Sequence, residues 1–124
     1  MNYVKKTILV TSADSNIAEL LRINFTQNGY KVIVAYDGES AYKKIIEQNP
    51  GLVIIDILIQ KMNILISYLK AKDEREDRSV PILVVIGDSE MKQLFNKTKV
   101  PVWVNKPFDA EVVLKKVKEI FSCD

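Results

Sequence analysis

The stretch Leu52-Val53-Ile54-Ile55-Asp56-Ile57 decides how this chain folds. Its first four residues are apolar, mostly β-branched and free of polar alternation, the pattern of a strand covered on both faces by other elements. An aspartate ends the run. A carboxylate at the mouth of a buried strand is costly unless it meets water, a cation or a hydrogen-bond donor. Asp56 therefore marks a strand end that opens onto polar chemistry.

Further apolar runs lie on both sides of this one: Ile8-Leu9-Val10, Ile82-Leu83-Val84-Val85-Ile86, and Val100 to Val104 with Pro101 inside it. Lys31 to Tyr36 adds another, following Gly29 and ending at the turn pair Asp37-Gly38. Pro101 assigns the last run to a sheet edge, because proline cannot donate to the ladder.

Helical patterns fill the gaps. Ile17, Leu20, Leu21 and Phe25 share a face, with Asp14 or Asn16 as the N-cap and Gly29 as the stop. Ala41, Ile45 and Ile46 mark a second helix, closed by Asn49-Pro50-Gly51. Met62, Leu65, Ile66 and Leu69 mark a third, and a short fourth is expected near Asp88 to Phe95. Val113, Val117, Ile120 and Phe121 give the last, with Asp109 as its cap. Strand and helix thus alternate along the chain, which predicts an α/β fold: a doubly wound, five-stranded parallel sheet of order 2-1-3-4-5 with helices on both faces. Ligands of such sheets bind at the carboxyl ends of the strands, here between the first and third. Thr11 to Asp14, Asp56, Gly87 and Lys106 fall at that rim.

Composition narrows the chemistry. The 124 residues suit one domain, taken as 1–124, with no repeat or linker. Lys and Arg number 18 against 16 Asp and Glu, a net charge of +2, which argues against a nucleic-acid partner. The lone Cys123 cannot form an internal disulfide. Without histidine there is no Ser-His or Cys-His relay and no ordinary zinc site. No apolar run approaches the roughly 18 residues of a membrane span, and no leader pattern precedes Ile8, so a cytoplasmic protein is expected.

Taken together, Leu52 to Ile57, Pro81-Ile82-Leu83-Val84-Val85 and Lys106-Pro107-Phe108 resemble the receiver domain of two-component response regulators, the CheY-like superfamily with its flavodoxin-like sheet. The resemblance runs over nearly the whole chain and includes Ile8-Leu9-Val10, Asn16-Ile17 and Glu19-Leu20-Leu21. It implies that Asp56 is the phosphate acceptor for a histidine kinase and that Lys106 pairs with the phosphoryl group. It also implies that Trp103 is the aromatic that reports the change to partners. Other family positions are altered. The acidic pair after the first strand falls on Ser12 and Ala13, and only Asp14, one place later, is acidic. Ile86 replaces the Ser or Thr after the fourth strand, with Gly87 following. The Pro and Gly of the loop after the acceptor become Gln60 and Ile64, and a shorter stretch from Gly87 to Trp103 points to a reduced fourth helix.

These exchanges weaken the expected chemistry. Magnesium takes oxygen ligands in near-octahedral geometry, with one or two carboxylates besides phosphate and water. The resemblance leaves Asp56, the carbonyl of Leu58 and a displaced Asp14 for that role, so no firm cofactor is implied and magnesium would bind weakly. Ile86 has no hydroxyl for a phosphoryl oxygen. The expected protein is a non-enzymatic, degenerate receiver that binds a histidine kinase or another signalling protein without phosphorylation. A working phosphoacceptor on Asp56 is the alternative. A third reading takes Thr11 to Asn16 as the phosphate loop of a flavodoxin-like cofactor binder, against which stand its lack of glycine and the charge of Asp14.

Plainer roles exist for the same residues. Asp56 and Lys106 form a structural ion pair, Asp14 caps a helix, Trp103 packs half-wet in an edge strand, and Lys115, Lys116 and Lys118 line a solvated face. Leu58, Ile59 and Ile64 to Ile66 make the loop after Asp56 apolar, which suits a partner contact or a plug over the site.

Overall fold

Chain order in the structure, a computed structural model, is β1 (Thr7–Thr11), α1 (Ser15–Gln27), β2 (Lys31–Ala35), α2 (Gly38–Gln48), β3 (Leu52–Asp56), β4 (Leu83–Gly87), β5 (Val102–Asn105) and α3 (Ala110–Ser122). It describes residues 6–56, 83–87, 102–105 and 109–122, with the backbone alone for 83–87, 102, 103, 105 and 122. The third and fourth helices expected from the sequence, including the reduced fourth, lie outside these residues.

All neighbouring strands pair in parallel, in the order β2-β1-β3-β4-β5. The expected topology is therefore the observed one, with β5 at an edge as Pro101 suggested. β3 is buried along its whole length, as is β1. Alternation sends Ile8, Val10, Leu52 and Ile54 to one face, where they pack with Ala18, Leu21 and Phe25 of α1 and Val113 and Val117 of α3. The opposite face is covered by α2, which lies against β1 and β2 and buries Ala41 and Ile45. Ridge by ridge, the central strands lose contact with water on both sides, which is why they read as unbroken apolar runs.

Caps explain where the helices start and stop. Asp14 is the N-cap of α1: its Oδ1 accepts from the amides of Asn16 at 2.9 Å and Ile17 at 3.4 Å. Past the end of α1, Gly29 takes a φ of +89°, a left-handed conformation that glycine adopts at no steric cost. Asn49 closes α2 with a φ of 46° and donates its amide to the Ile45 carbonyl. Asp109 caps α3, its Oδ1 accepting from the Glu111 amide.

Two details depart from the sequence reading. Asp37-Gly38 is not a turn after a strand but the start of α2, with Asp37 Oδ1 accepting from the Ser40 amide at 2.7 Å. Turns and N-caps draw on the same short polar residues, so the pair fits both. Leu20 and Ile46, placed on apolar faces by periodicity, are 49% and 53% exposed. In α1 the small Ala18 carries the buried stripe with Leu21 and Phe25, and a count of large apolar residues misses it.

The edge at β2 is guarded. Its middle residues are only half-buried, and the Lys44 ammonium from α2 donates to the Val34 carbonyl. At the amino ends of the strands, Tyr30 stacks on Phe121 of α3 with ring centroids 5.5 Å apart. Chemistry is thereby left to the other end. No helix among the described residues is long and apolar enough to cross a membrane.

Candidate functional site at the carboxyl ends of the strands

Register builds the site. Thr11 lies opposite Ile55, so the next residue on each strand, Ser12 and Asp56, meet just where β1 ends. Asp56 lies opposite Ile86, Ile86 opposite Val104, and Gly87 opposite Asn105. One rim thus gathers Ser12, Asp56 and the backbone of Ile86 and Gly87, as the topology required.

Ser12 and Asp56 are both fully buried. The Ser12 hydroxyl donates to Asp56 Oδ2 at 2.7 Å and accepts from the Asp14 amide at 3.0 Å. The Asp14 carbonyl lies 3.1 Å from the same hydroxyl. A serine has one proton to give, and the shorter bond to a carboxyl oxygen takes it. The backbone of Ser12 is engaged as well, its amide donating to the Ala35 carbonyl at 3.0 Å. Ser12 alone therefore joins β1 to β2, to β3 and to the entry of α1.

Its neighbours play smaller parts. Ala13 is exposed, and Asp14, half-buried, turns its carboxylate to the amides of α1. Trp103 sits opposite Val85 in the ladder. Lys106, Leu58, Gln60, Ile64 and the apolar loop after Asp56 lie outside the described residues, as does the side chain of Ile86.

The sequence reading places Thr11 at the rim but gives it no role of its own. It is fully buried at the end of β1, and its Oγ1 has no hydrogen-bond partner among the described residues. The signal is a hydroxyl that directly follows the apolar run Ile8-Leu9-Val10 at the end of the strand.

The described donors do not fit magnesium. Asp56 is the one acid they bring to the rim, and its Oδ2 already receives the Ser12 proton. Ser12 is a neutral ligand and the Asp14 carboxylate serves the helix cap. No three acidic, cysteine or histidine groups converge among the described residues. A phosphate loop fits no better: the amides of Ser12, Asp14, Asn16 and Ile17 are all spent on partners within the chain.

Shifted ionisations lie away from this rim. On α1, the hydrogen bond from Arg22 holds the exposed Glu19 carboxyl below its ordinary range and raises Arg22 in return. Burial pushes the Tyr30 phenol up.

Comparison with known proteins agrees with this geometry. Residues 8–118 match the response regulator receiver domain. The chain is 32% identical over 120 residues to the alkaline phosphatase synthesis transcriptional regulatory protein PhoP of Bacillus subtilis (strain 168), covering 94% of this chain and 49% of that protein. It thus spans about half the length of that curated relative. Among solved structures, the receiver domain of a response regulator from Bermanella marisrubri superposes with a TM-score of 0.82 at 18% identity, over 94% of this chain and 98% of that one. The receiver domain of the Francisella response regulator 1452 gives 0.75 at 23% identity, over 94% and 96%. These two likenesses carry the fold. The family match carries more: this chain belongs to the response regulator receiver domain family, the receiving module of two-component signalling.

Proposed function

We propose that this receiver is a pseudo-receiver: a protein-binding module whose engagement does not depend on phosphorylation. The observation that carries the reading is the buried 2.7 Å bond from Ser12 to Asp56 Oδ2. Phosphorylation of a carboxylate brings one anion against another, and the repulsion must be offset by cations held in place. The described rim offers a neutral hydroxyl instead. Ile86, opposite Asp56 in the ladder, adds no hydroxyl for a phosphoryl oxygen. A ligand shifts an equilibrium only through contacts that differ between the two states, and these residues supply few.

Residues 1–124 act as one unit in this reading, with no catalytic residue of its own and a kinase or another signalling protein as partner. Paired apolar side chains on helix surfaces support a protein partner: Leu20 with Ile23 on α1, and Tyr42 with Ile46 on α2, all at least 36% exposed. Asp56 and Lys106 serve structure, and Trp103 serves contact.

Incubation with acetyl phosphate and magnesium, read by intact mass, tests this directly. The expected spectrum contains the unmodified chain alone. A stoichiometric phospho-adduct that disappears in Asp56→Asn establishes the competing function, a phosphoacceptor on Asp56.

A further inference from the structure

We propose that Lys44 latches the outer edge of β2 against a second copy of this chain, so that two copies pair there only when the ammonium is taken away. The proposal goes beyond the pseudo-receiver reading and holds whether or not Asp56 takes a phosphate. β2 stands at one end of the strand order, with β1 as its only neighbour in the sheet among the described residues.

Register shows which backbone groups of β2 face outward. Along a strand in a parallel ladder, alternate residues turn both amide and carbonyl to the same side. The Lys31 amide donates to the Lys6 carbonyl, and the Ala35 carbonyl accepts from the Ser12 amide. Lys31, Ile33 and Ala35 therefore bond to β1, while Val32 and Val34 turn their amides and carbonyls away from it. That edge is self-complementary. Two copies related by a two-fold axis at Ile33 would run antiparallel, with Val32 of one opposite Val34 of the other. Each outward amide and carbonyl of these residues would then find a partner. The run Val32-Ile33-Val34 is β-branched, uncharged and free of proline, the kind of edge that pairs unless it is blocked.

Lys44 is the block. Its ammonium donates to the Val34 carbonyl, an acceptor that the pairing needs. A partner strand would run about 4.8 Å from β2, and an ammonium bonded to that outward carbonyl stands in the gap. The helix holds it there: Ala41 and Ile45, on either side of Lys44 in sequence, are buried where α2 lies against β1 and β2, and Lys44 itself is half-buried. A second copy would also bring a second ammonium to the same edge, where like charges oppose each other.

The test is sedimentation equilibrium of the natural chain, Lys44→Met and Lys44→Arg from micromolar to millimolar concentration, with amide hydrogen exchange at Val32 and Val34 in the same samples. Methionine keeps the length of the side chain without the ammonium, and arginine keeps a charged donor. The average mass of Lys44→Met should rise with concentration from the natural chain's value toward its double, and exchange at Val32 and Val34 should slow by about tenfold in step. In the natural chain and Lys44→Arg, exchange at these two amides stays the same at every concentration. If Lys44→Met does not fold, Lys44→Leu serves in its place. A folded Lys44→Met whose mass follows the natural chain's throughout overturns the proposal, as does a rise in mass that leaves Val32 and Val34 exchanging as before. So does Lys44→Arg pairing as strongly as Lys44→Met, or a natural chain whose Val32 and Val34 amides gain protection with concentration.

Discussion

Ser12 is the residue on which the site turns. Its hydroxyl satisfies a fully buried carboxyl oxygen, and removing one partner of a buried hydrogen bond leaves the other with its full desolvation cost. Ser12→Ala is expected to destabilise the fold by about 1–3 kcal/mol in urea unfolding. Ala13, one place along, is exposed, and Ala13→Ser should stay within about 0.5 kcal/mol. The contrast between these neighbours separates the hydrogen bond from any general sensitivity of the loop. Tyr30 supplies a pH test. Burial favours its neutral phenol and raises it above the ordinary 10.0, so the folded state binds the proton more tightly than the unfolded chain. Its contribution is complete below pH 10 and is lost as pH rises through the raised value. Denaturation midpoints should therefore fall above pH 10, and less steeply in Tyr30→Phe.

The helices depend on their ends more than their interiors. Asp14 and Asp37 each accept helix amides, and alanine at either position should cost about 1 kcal/mol, within the 0.5–2 seen for such caps. Gly29 stands in open space at φ +89°, so Gly29→Ala meets no clash but is strained by about 1–2 kcal/mol through its backbone. Much of this was legible beforehand. Asp14, Gly29 and Asp109 are read from residue type and position, and Leu52 to Ile55 as a doubly covered strand, because caps and buried strands leave local signatures. What is not legible is long-range. Nothing local to Asp37 distinguishes a turn that ends a strand from the cap of the helix that follows, since the same short polar residues serve both. The bond from Ser12 to Asp56 spans 44 positions and exists only because parallel register brings Thr11 opposite Ile55. Sequence places both residues at the rim, and register makes them partners.

Over the molecule as a whole, stability and chemistry occupy different parts. The shared core of β1, β3, α1 and α3 centres on side chains such as Phe25, fully buried beside Leu21 and Val113. Phe25→Ala should cost about 3–5 kcal/mol, a large share of the roughly 5–15 kcal/mol of a domain this size. Leu20→Ala, from the exposed side of the same helix, should stay within about 0.5 kcal/mol and instead weaken partner capture. On the pseudo-receiver we propose, that separation leaves the receiver scaffold intact while the rim at its strand ends has changed character. A balanced net charge of +2 says nothing of such a change, which in that proposal lies in Ser12 and Ala13 standing where the family resemblance implies carboxylates.

Amide chemical shifts recorded before and after adding beryllofluoride with magnesium read that rim directly, with Trp103, the only tryptophan, as a fluorescent companion probe. The pseudo-receiver predicts superimposable spectra and unchanged emission. Shifts at Ser12 and Asp56 that spread through β4 and β5 to Trp103 would show a receiver that still binds a phosphoryl mimic and switches.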